Sequence, residues 1–290
     1  MKKVLGVLMF LVLATTSQQA LAALVVTETN NANTLVTNIL GPGITVVGTP
    51  TYTGADTASG TFTGGASAGI SIPAGILLTS GKAGGAVGPN DLDNYTANNG
   101  LAGDAQLTAL IPGYSTHDAT SLEFTFTSAG GDLYFNYVFA SEEYNEFTNS
   151  SFNDVFGFFL DGVNIALIPG TSTPVSINNV NGGNPLGTGA SNPALYNNND
   201  PSDGVPVFDI QYDGFTDVFQ AKVLGLSAGN HTIKLAIADA GDWVLDSGVF
   251  IQGGSFSDQP TEPIPEPGTM MLLGSGLAGL ASYGRKRFRK

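Results

Sequence analysis

Short apolar runs separated by turn residues fill the middle of the chain. The run 122–126 alternates apolar and polar residues, and in the run 133–139 every second residue is large and apolar. The run 154–160 is apolar on both faces, as expected for a central strand, the run 233–237 alternates again, and the run 249–251 closes the domain. Gly, Asp and Asn between the runs are typical turn residues. The pattern predicts an all-β fold, an antiparallel β-sandwich of the jelly-roll type.

Two short helices are predicted beside the strands. Residues 33–40 form one helix near the start of the domain, and residues 104–111 form another, with Asp104 as its N-cap and Pro112 after its end. The stretch 178–204 is rich in Asn, Gly and Pro and is predicted to be a long surface loop. Neither the helices nor the loop changes the fold class.

The first 22 residues have the features of a secretory signal peptide. A Lys-Lys start precedes the apolar run 4–14, and Ala20 and Ala22 occupy the two positions that signal peptidase inspects. We expect residues 1–22 to be removed by signal peptidase after Ala22. The alternative, a buried N-terminal helix, accounts for neither the lysine pair nor the small residues.

The last 32 residues predict a membrane anchor. Residues 259–268 form a Pro-rich linker, and residues 269–290 form the anchor, with a short transmembrane helix at 270–283 and a basic tail at 285–290. Such a helix is about 21 Å long, shorter than the roughly 30 Å hydrocarbon core. Basic tails remain on the cytoplasmic side. We therefore expect a temporary anchor in the inner membrane.

The end of the chain resembles a known sorting signal. Pro265-Glu266-Pro267, an apolar stretch and then Arg285-Lys286-Arg287 are similar to the PEP-CTERM signal of exported proteins. The resemblance covers residues 263–290. It implies processing near the Pro-Glu-Pro by a membrane enzyme of the exosortase type. It also implies delivery to the cell surface or extracellular matrix of a Gram-negative bacterium that makes extracellular polysaccharide, as in a biofilm.

The charge of the chain is concentrated in its exported part. All 24 acidic residues lie between Glu28 and Glu266, where only three lysines are basic, so that segment carries −21 against −14 for the whole chain. This charge excludes nucleic acid as a partner and favours divalent cations. The alternative is that it only keeps the protein soluble. The chain has no cysteine, so neither disulfides nor thiol catalysis is available to it.

Carboxylates gather beside the predicted core strands. Such groups repel one another and lose hydration, and a hard cation bound by several oxygens relieves both costs. The sequence therefore predicts a Ca²⁺ site, although it contains no EF-hand loop. The alternative is a set of solvated loop carboxylates. The predicted ligands are Glu142, Glu143, Asp154, Asp239, Asp242 and Asp246.

The same segments carry a second resemblance. The stretches 75–81, 137–147, 152–162 and 235–251 are similar to the choice-of-anchor L family. That resemblance implies one extracellular β-domain, here residues 23–258, joined to a C-terminal anchor. It implies no established activity and supplies no catalytic residues.

Three functions are compatible with these features. The first is a non-enzymatic surface or matrix protein. The second is a carbohydrate-binding module for extracellular polysaccharide, with a sugar-stacking face; the alternative for its tryptophan is that it packs over the sandwich edge. The third is a polysaccharide hydrolase, but Glu142 and Glu143 are adjacent on a strand and face opposite ways, so they cannot easily share a site. The aromatic candidates for stacking are Trp243 and Tyr144, with Tyr95, Tyr114, Tyr196 and Tyr212.

Overall fold

The structure is a computed structural model that describes residues 23–204 and 206–261. The predicted signal peptide and its cleavage site, most of the linker, the apolar segment 270–283 and the basic tail lie outside these residues. Within the two described ranges, no helix is long and apolar enough to cross a membrane.

The regular secondary structure of the described residues is mostly β-strand. Its helices are α1 (Ala32–Ile39), α2 (Gly65–Ala68) and α3 (Ala105–Leu110), with single 3-10 turns at Ala83–Ala86 and Pro193–Leu195. The strands are β1 (Val25–Glu28), β2 (Ile44–Thr53), β3 (Ser59–Thr63), β4 (Ala74–Thr79), β5 (Thr116–Ser128), β6 (Leu133–Ser141), β7 (Val155–Leu160), β8 (Val163–Asn164), β9 (Tyr196–Asn198), β10 (Gly214–Thr216), β11 (Phe219–Val223), β12 (His231–Ala240) and β13 (Ser247–Gln252).

These strands form two antiparallel sheets. The first sheet has the order β1-β3-β4-β13-β6-β10-β9, and β11 also pairs with β6, beside β10. The second has the order β2-β5-β12-β7-β8. The strands β6 and β13 occupy the centre of the first sheet, and β12 occupies the centre of the second.

An aromatic core joins the two sheets. Phe135 and Tyr137 of β6 face Phe158 and Phe156 of β7, with ring centroids 4.9 Å apart for Phe135–Phe158 and 5.3 Å apart for Tyr137–Phe156. Phe256, which follows β13, packs on Phe135 at 5.3 Å. These rings are buried, and each buried side chain of this size stabilises the fold by about 1.5–3 kcal/mol. The all-β sandwich expected from the alternating pattern is thus present.

The local predictions agree with most of the structure. Helix α3 begins after Asp104, whose carboxylate accepts from the backbone N–H groups of Gln106 and Leu107. The segment 178–204, predicted to be a surface loop, instead contains β9 and buries Asn199 and Asp200. The strand β9 has only three residues, and its polar sequence shows no alternation of apolar residues from which it could be predicted.

Candidate functional site: buried carboxylates at the end of β6

The strand register places three acidic residues side by side at one end of the first sheet. Strand β6 ends at Ser141, which is paired with β10 on one side and with β13 on the other. One residue further along, Glu142 lies between Asp213 and Asp246, and its backbone N–H donates to the carbonyl oxygen of Asp246 at 3.1 Å. We call Asp213, Glu142 and Asp246 the outer carboxylate row.

The row is on the face of the first sheet that points away from the second sheet. Side chains alternate along a strand, and Val138 and Ala140 pack on that outer face, four and two residues before Glu142. Beyond Asp246, strand β4 leads to Gly81 at the same register position. A Cβ on Gly81 would overlap the Asp246 carboxylate. Glycine at this position therefore leaves the space that the carboxylate occupies.

The row is buried but only partly hydrogen-bonded. Glu142 and Asp213 are 0% exposed, and Asp246 is 2% exposed. Asp213 Oδ1 accepts from Asn90 Nδ2 at 2.7 Å, and Asp246 Oδ2 accepts from the backbone N–H of Ala97 at 2.9 Å. In the part of the chain that the structure describes, both Oε atoms of Glu142, Oδ2 of Asp213 and Oδ1 of Asp246 have no hydrogen-bond partner. Burial of such oxygens is costly unless a counter-charge is present.

A fourth carboxylate stands next to the row. Glu146 lies in the turn that follows β6, and its Oε1 accepts from the Ser202 hydroxyl at 3.2 Å. Its Oε2 is buried and, among the described residues, unpaired. The charge of Glu146 raises the pKa of both Glu142 and Asp213, so it acts electrostatically on the row.

Burial raises the pKa of every carboxyl group in the row. Burial and the charges of Asp213 and Asp246 raise the pKa of Glu142 to about 11. Burial also raises the pKa of Asp213 to about 9 and that of Asp246 to about 7. The backbone N–H of Tyr95 lowers the pKa of Glu142, and that of Lys82 lowers the pKa of Asp246. Neither N–H completes a hydrogen bond of normal geometry with its carboxylate. Without a cation, the row therefore resists full ionisation near neutral pH.

A second group lies on the opposite face of β6, between the two sheets. Its members are Glu143, which follows β6, Asp154, which precedes β7, and Asp239, which belongs to β12. We call these three residues the inter-sheet cluster. Asp154 accepts two hydrogen bonds, from the backbone N–H of Ala240 at 2.8 Å and from the Ser247 hydroxyl at 2.6 Å. Asp239 is 1% exposed, and neither of its carboxylate oxygens has a partner in the described ranges.

Burial dominates the electrostatics of the inter-sheet cluster as well. Burial, followed by the charge of Asp154, raises the pKa of Glu143 to about 10. Burial raises the pKa of Asp154 to about 8 even though its two hydrogen bonds oppose the shift. The pKa of Asp239 is raised well above its usual range, again chiefly by burial. The Ser80 hydroxyl opposes that shift but does not complete a normal hydrogen bond with Asp239.

Basic side chains do not neutralise either group. Between residues 23 and 261 the only Lys or Arg residues are Lys82, Lys222 and Lys234. Lys82 Nζ lies 3.9 Å from Glu28, and Lys234 pairs with Asp104 beside α3. Lys222 is exposed. The described lysines are therefore directed to other acids or to solvent.

The predicted metal ligands lie in three places: the outer carboxylate row, the inter-sheet cluster and the turn after β12. Asp242 is half-buried in the turn after β12, where its Oδ1 accepts from the backbone N–H of Val244 at 3.0 Å. Its charge raises the pKa of Glu143 and Asp154, so it stands beside the inter-sheet cluster. Within residues 23–204 and 206–261, no group of three or more Asp, Glu, His or Cys side chains converges closely enough to hold a metal ion as it stands. The other five predicted ligands are buried: Glu142 and Asp246 in the outer carboxylate row, and Glu143, Asp154 and Asp239 in the inter-sheet cluster.

The aromatic candidates for sugar stacking are largely dispersed. Tyr144 is 0% exposed and Tyr212 is 2% exposed, so neither can face a polysaccharide. Trp243 is 40% exposed and packs over His117, with ring centroids 3.7 Å apart. The exposed side chain of Val244 lies next to it in the chain. Tyr95, Tyr114 and Tyr196 are half-buried, so Trp243 is the most exposed of the six candidates.

Comparison with known families covers nearly all of the described domain. The model of the choice-of-anchor L domain matches residues 24–257. The chain belongs to the choice-of-anchor L family. A PEP-CTERM protein-sorting motif follows at residues 263–287, which confirms the assignment made from Pro265-Glu266-Pro267 and the basic tail. Neither the curated proteins nor the solved structures include a match to the chain.

The order of these two segments indicates how the protein is exported and sorted. A choice-of-anchor L domain followed by a PEP-CTERM motif marks an exported protein that exosortase machinery sorts at the membrane toward the cell surface. Neither segment belongs to an enzyme family. Both families are named for anchoring or sorting, which is consistent with a chain that is not an enzyme.

The sequence analysis missed two members of the site. Asp213 precedes β10, which has only three residues and no recognisable alternation, so its position beside Glu142 could not be assigned. Glu146 lies within the stretch 137–147, and nothing in its sequence context distinguishes it as a ligand. The signal that could have drawn attention to Asp213 is the Asp-Gly step at 213–214, a frequent element of turns between strands.

Proposed function

We propose that residues 23–258 form a non-enzymatic, calcium-stabilised module of the cell surface or extracellular matrix of a Gram-negative bacterium. Exosortase-type processing near the Pro-Glu-Pro releases the module from a transient anchor in the inner membrane. The observation that carries this proposal is the arrangement of one choice-of-anchor L domain directly before a PEP-CTERM motif in the same chain. The buried, unpaired carboxylates support the calcium part.

The export route is tested by changing the sorting motif in the native host. Replacing Pro265, Glu266 and Pro267 by Ala should leave an uncut protein in the inner membrane fraction. The control replaces Pro260, a linker proline that precedes the matched motif, and it should still be processed. Fractionation followed by mass spectrometry of the C-terminal peptides distinguishes the two. Recovery of the Arg285–Lys290 peptide in mature parent protein at the cell surface would contradict processing.

A carbohydrate-binding module is the second candidate, and the exposure of Trp243 favours it. Aromatic rings with one open face stack on sugars, and Trp243 is 40% exposed at the end of the sandwich. Trp243→Ala should abolish retention on the host's extracellular polysaccharide if this function holds. Equal retention of the parent and the variant would exclude this face. Hydrolysis is less well supported, because the pocket beside Ile168 and Lys222 has no carboxylate in its lining.

A further inference from the structure

We infer that the outer carboxylate row, Asp213, Glu142 and Asp246, with Glu146 beside it, binds one hard divalent cation of the calcium class. The inference deepens the calcium part of the proposed function and is independent of the export route. It differs from the prediction made from the sequence, which placed six ligands from two segments in one site. Here the ligands come from three neighbouring strands and share one face.

The first argument is the juxtaposition of like charges. Residues directly opposite each other on antiparallel strands have Cβ atoms about 4.5–5.5 Å apart, and like charges at such positions destabilise the sheet. Ser141 pairs with Gly214 and with Ser247, and the same register continued by one residue places Asp213 and Asp246 on the two sides of Glu142. A sheet that buries three carboxylates in one line is therefore stable only with a counter-charge or with bound protons.

The second argument is the set of unpaired oxygens. Glu142 contributes two, and Asp213, Asp246 and Glu146 contribute one each, all buried and without a partner in the described residues. The other oxygens of Asp213 and Asp246 already accept from neutral donors, which hold those two carboxylates in place. Calcium takes six to eight oxygen ligands, and carboxylates together with water are its usual set in proteins.

The third argument excludes a protein partner as the source of the positive charge. Asp213, Glu142 and Asp246 are at most 2% exposed, so a lysine or arginine of another molecule cannot reach them. A bare ion is much smaller than a lysine or arginine side chain, so an ion is the source of positive charge that fits this burial. The carboxylates stand at the spacing of neighbouring strands rather than in a closed ligand shell. Binding therefore requires Glu142 and Glu146, whose side chains are the longest, to move toward the ion.

The row is a better site than the inter-sheet cluster. In the inter-sheet cluster, Asp154 already accepts from a backbone N–H and from a hydroxyl, and three oxygens, both of Asp239 and one of Glu143, have no partner in the described residues. The row together with Glu146 has five such oxygens. The unpaired oxygens of the row also come from adjacent strands of one sheet.

The test measures calcium binding to the exported protein after chelator treatment, by calorimetric titration with CaCl2. Glu142→Gln and Asp213→Asn each remove one charge of the row with almost no change in shape. Asp217→Asn is the matched control, because Asp217 is an exposed acid four residues after Asp213. We expect each row variant to lose at least tenfold in calcium affinity and the control to remain within twofold of the parent.

Stability in EDTA separates a ligand role from a purely structural one. A Gln at position 142 can donate to Asp213 or Asp246, so Glu142→Gln should melt at or above the temperature of the parent in EDTA. It should also lose the rise in melting temperature that Ca²⁺ gives the parent. Unchanged calcium affinity in Glu142→Gln and Asp213→Asn, with the rise intact, would overturn the row while leaving calcium stabilisation in place. Equal effects of Ca²⁺, Mg²⁺ and NaCl on all variants would overturn both.

Discussion

The middle of the central strands buries aromatic side chains, whereas the end of β6 buries carboxylates. In the middle, β6 and β7 bring Phe135 and Phe158 together, and every contact there is favourable because apolar surface leaves water. At the end of β6, Glu142 and Glu143 are buried just as deeply, and their burial is unfavourable because carboxylates lose hydration. Burial therefore stabilises the fold in the middle of β6 and destabilises it just beyond the end of that strand.

The energetic consequence of burial in this domain therefore depends on which side chain is buried. The aromatic middle needs nothing from outside the chain, whereas the carboxylate end depends on what neutralises it. A substitution in the middle should cost the same stability with or without calcium. A substitution at the end should change stability by an amount that depends on calcium.

The largest expected effect is in the aromatic middle. Phe158→Ala removes a ring that contacts Phe135 and Tyr137, and should lower the free energy of unfolding by about 3–5 kcal/mol. Denaturant titration in Ca²⁺ and in EDTA should give the same loss. A loss that is larger in only one of these conditions would mean that the middle and the end are not energetically separate.

The next effect is at Gly81, where a side chain would displace the carboxylate row. Gly81→Ala places a Cβ on the Asp246 carboxylate, and such overpacking typically costs about 1–3 kcal/mol. The variant should also respond less to Ca²⁺. Gly84→Ala is the control, because its Cβ would meet only the flexible end of Glu28 at 2.7 Å. Equal melting temperatures for the two variants would show that the row tolerates displacement of Asp246.

A smaller effect is expected in the inter-sheet cluster. Asp239 has no hydrogen-bond partner in the described residues and lies near Asp154, so Asp239→Asn removes a repulsion and adds a donor. In EDTA this variant should gain up to about 1 kcal/mol in free energy of unfolding. A loss of about 3–5 kcal/mol in free energy of unfolding, as expected for Phe158→Ala, would show that the Asp239 carboxylate itself stabilises the fold.

The smallest effect concerns an ordinary ion pair at the opposite end of the sandwich. The hydrogen bond that the ring Nδ1–H of His231 donates to Asp161 Oδ2, at 2.6 Å, raises the pKa of His231. A raised folded-state pKa means that the contribution is complete below the unfolded value of about 6.5 and is lost as pH rises through the folded value. Because Asp161 is half exposed, we expect no more than about 1 kcal/mol.

Melting temperatures between pH 5.5 and 8.5 check this pair. The parent should lose stability, relative to Asp161→Asn, as the pH rises through this range. Buried carboxylates also titrate there, so the difference between the two proteins is the informative quantity. A constant difference across the range would mean that Asp161 does not raise the pKa of His231.

The sequence pattern predicted those strands in which apolar and polar side chains alternate over several residues. The alternation at 122–126 and 133–139 predicted β5 and β6, and the cap at Asp104 predicted α3. It was insufficient for β9 and β10, because three-residue strands have too few positions to show a period. The metal ligands were predicted from two acidic segments, and that prediction is still to be tested.

What the sequence determined by itself is therefore local or compositional: the β class, the acidic and cysteine-free exported domain, and the sorting motif around Pro265-Glu266-Pro267. Only the tertiary structure decided that Glu142 has Asp213 and Asp246 as neighbours while Glu143 faces Asp154. The physical reason is that side-chain alternation is written along one strand, whereas neighbours across a sheet depend on register between segments far apart in the chain.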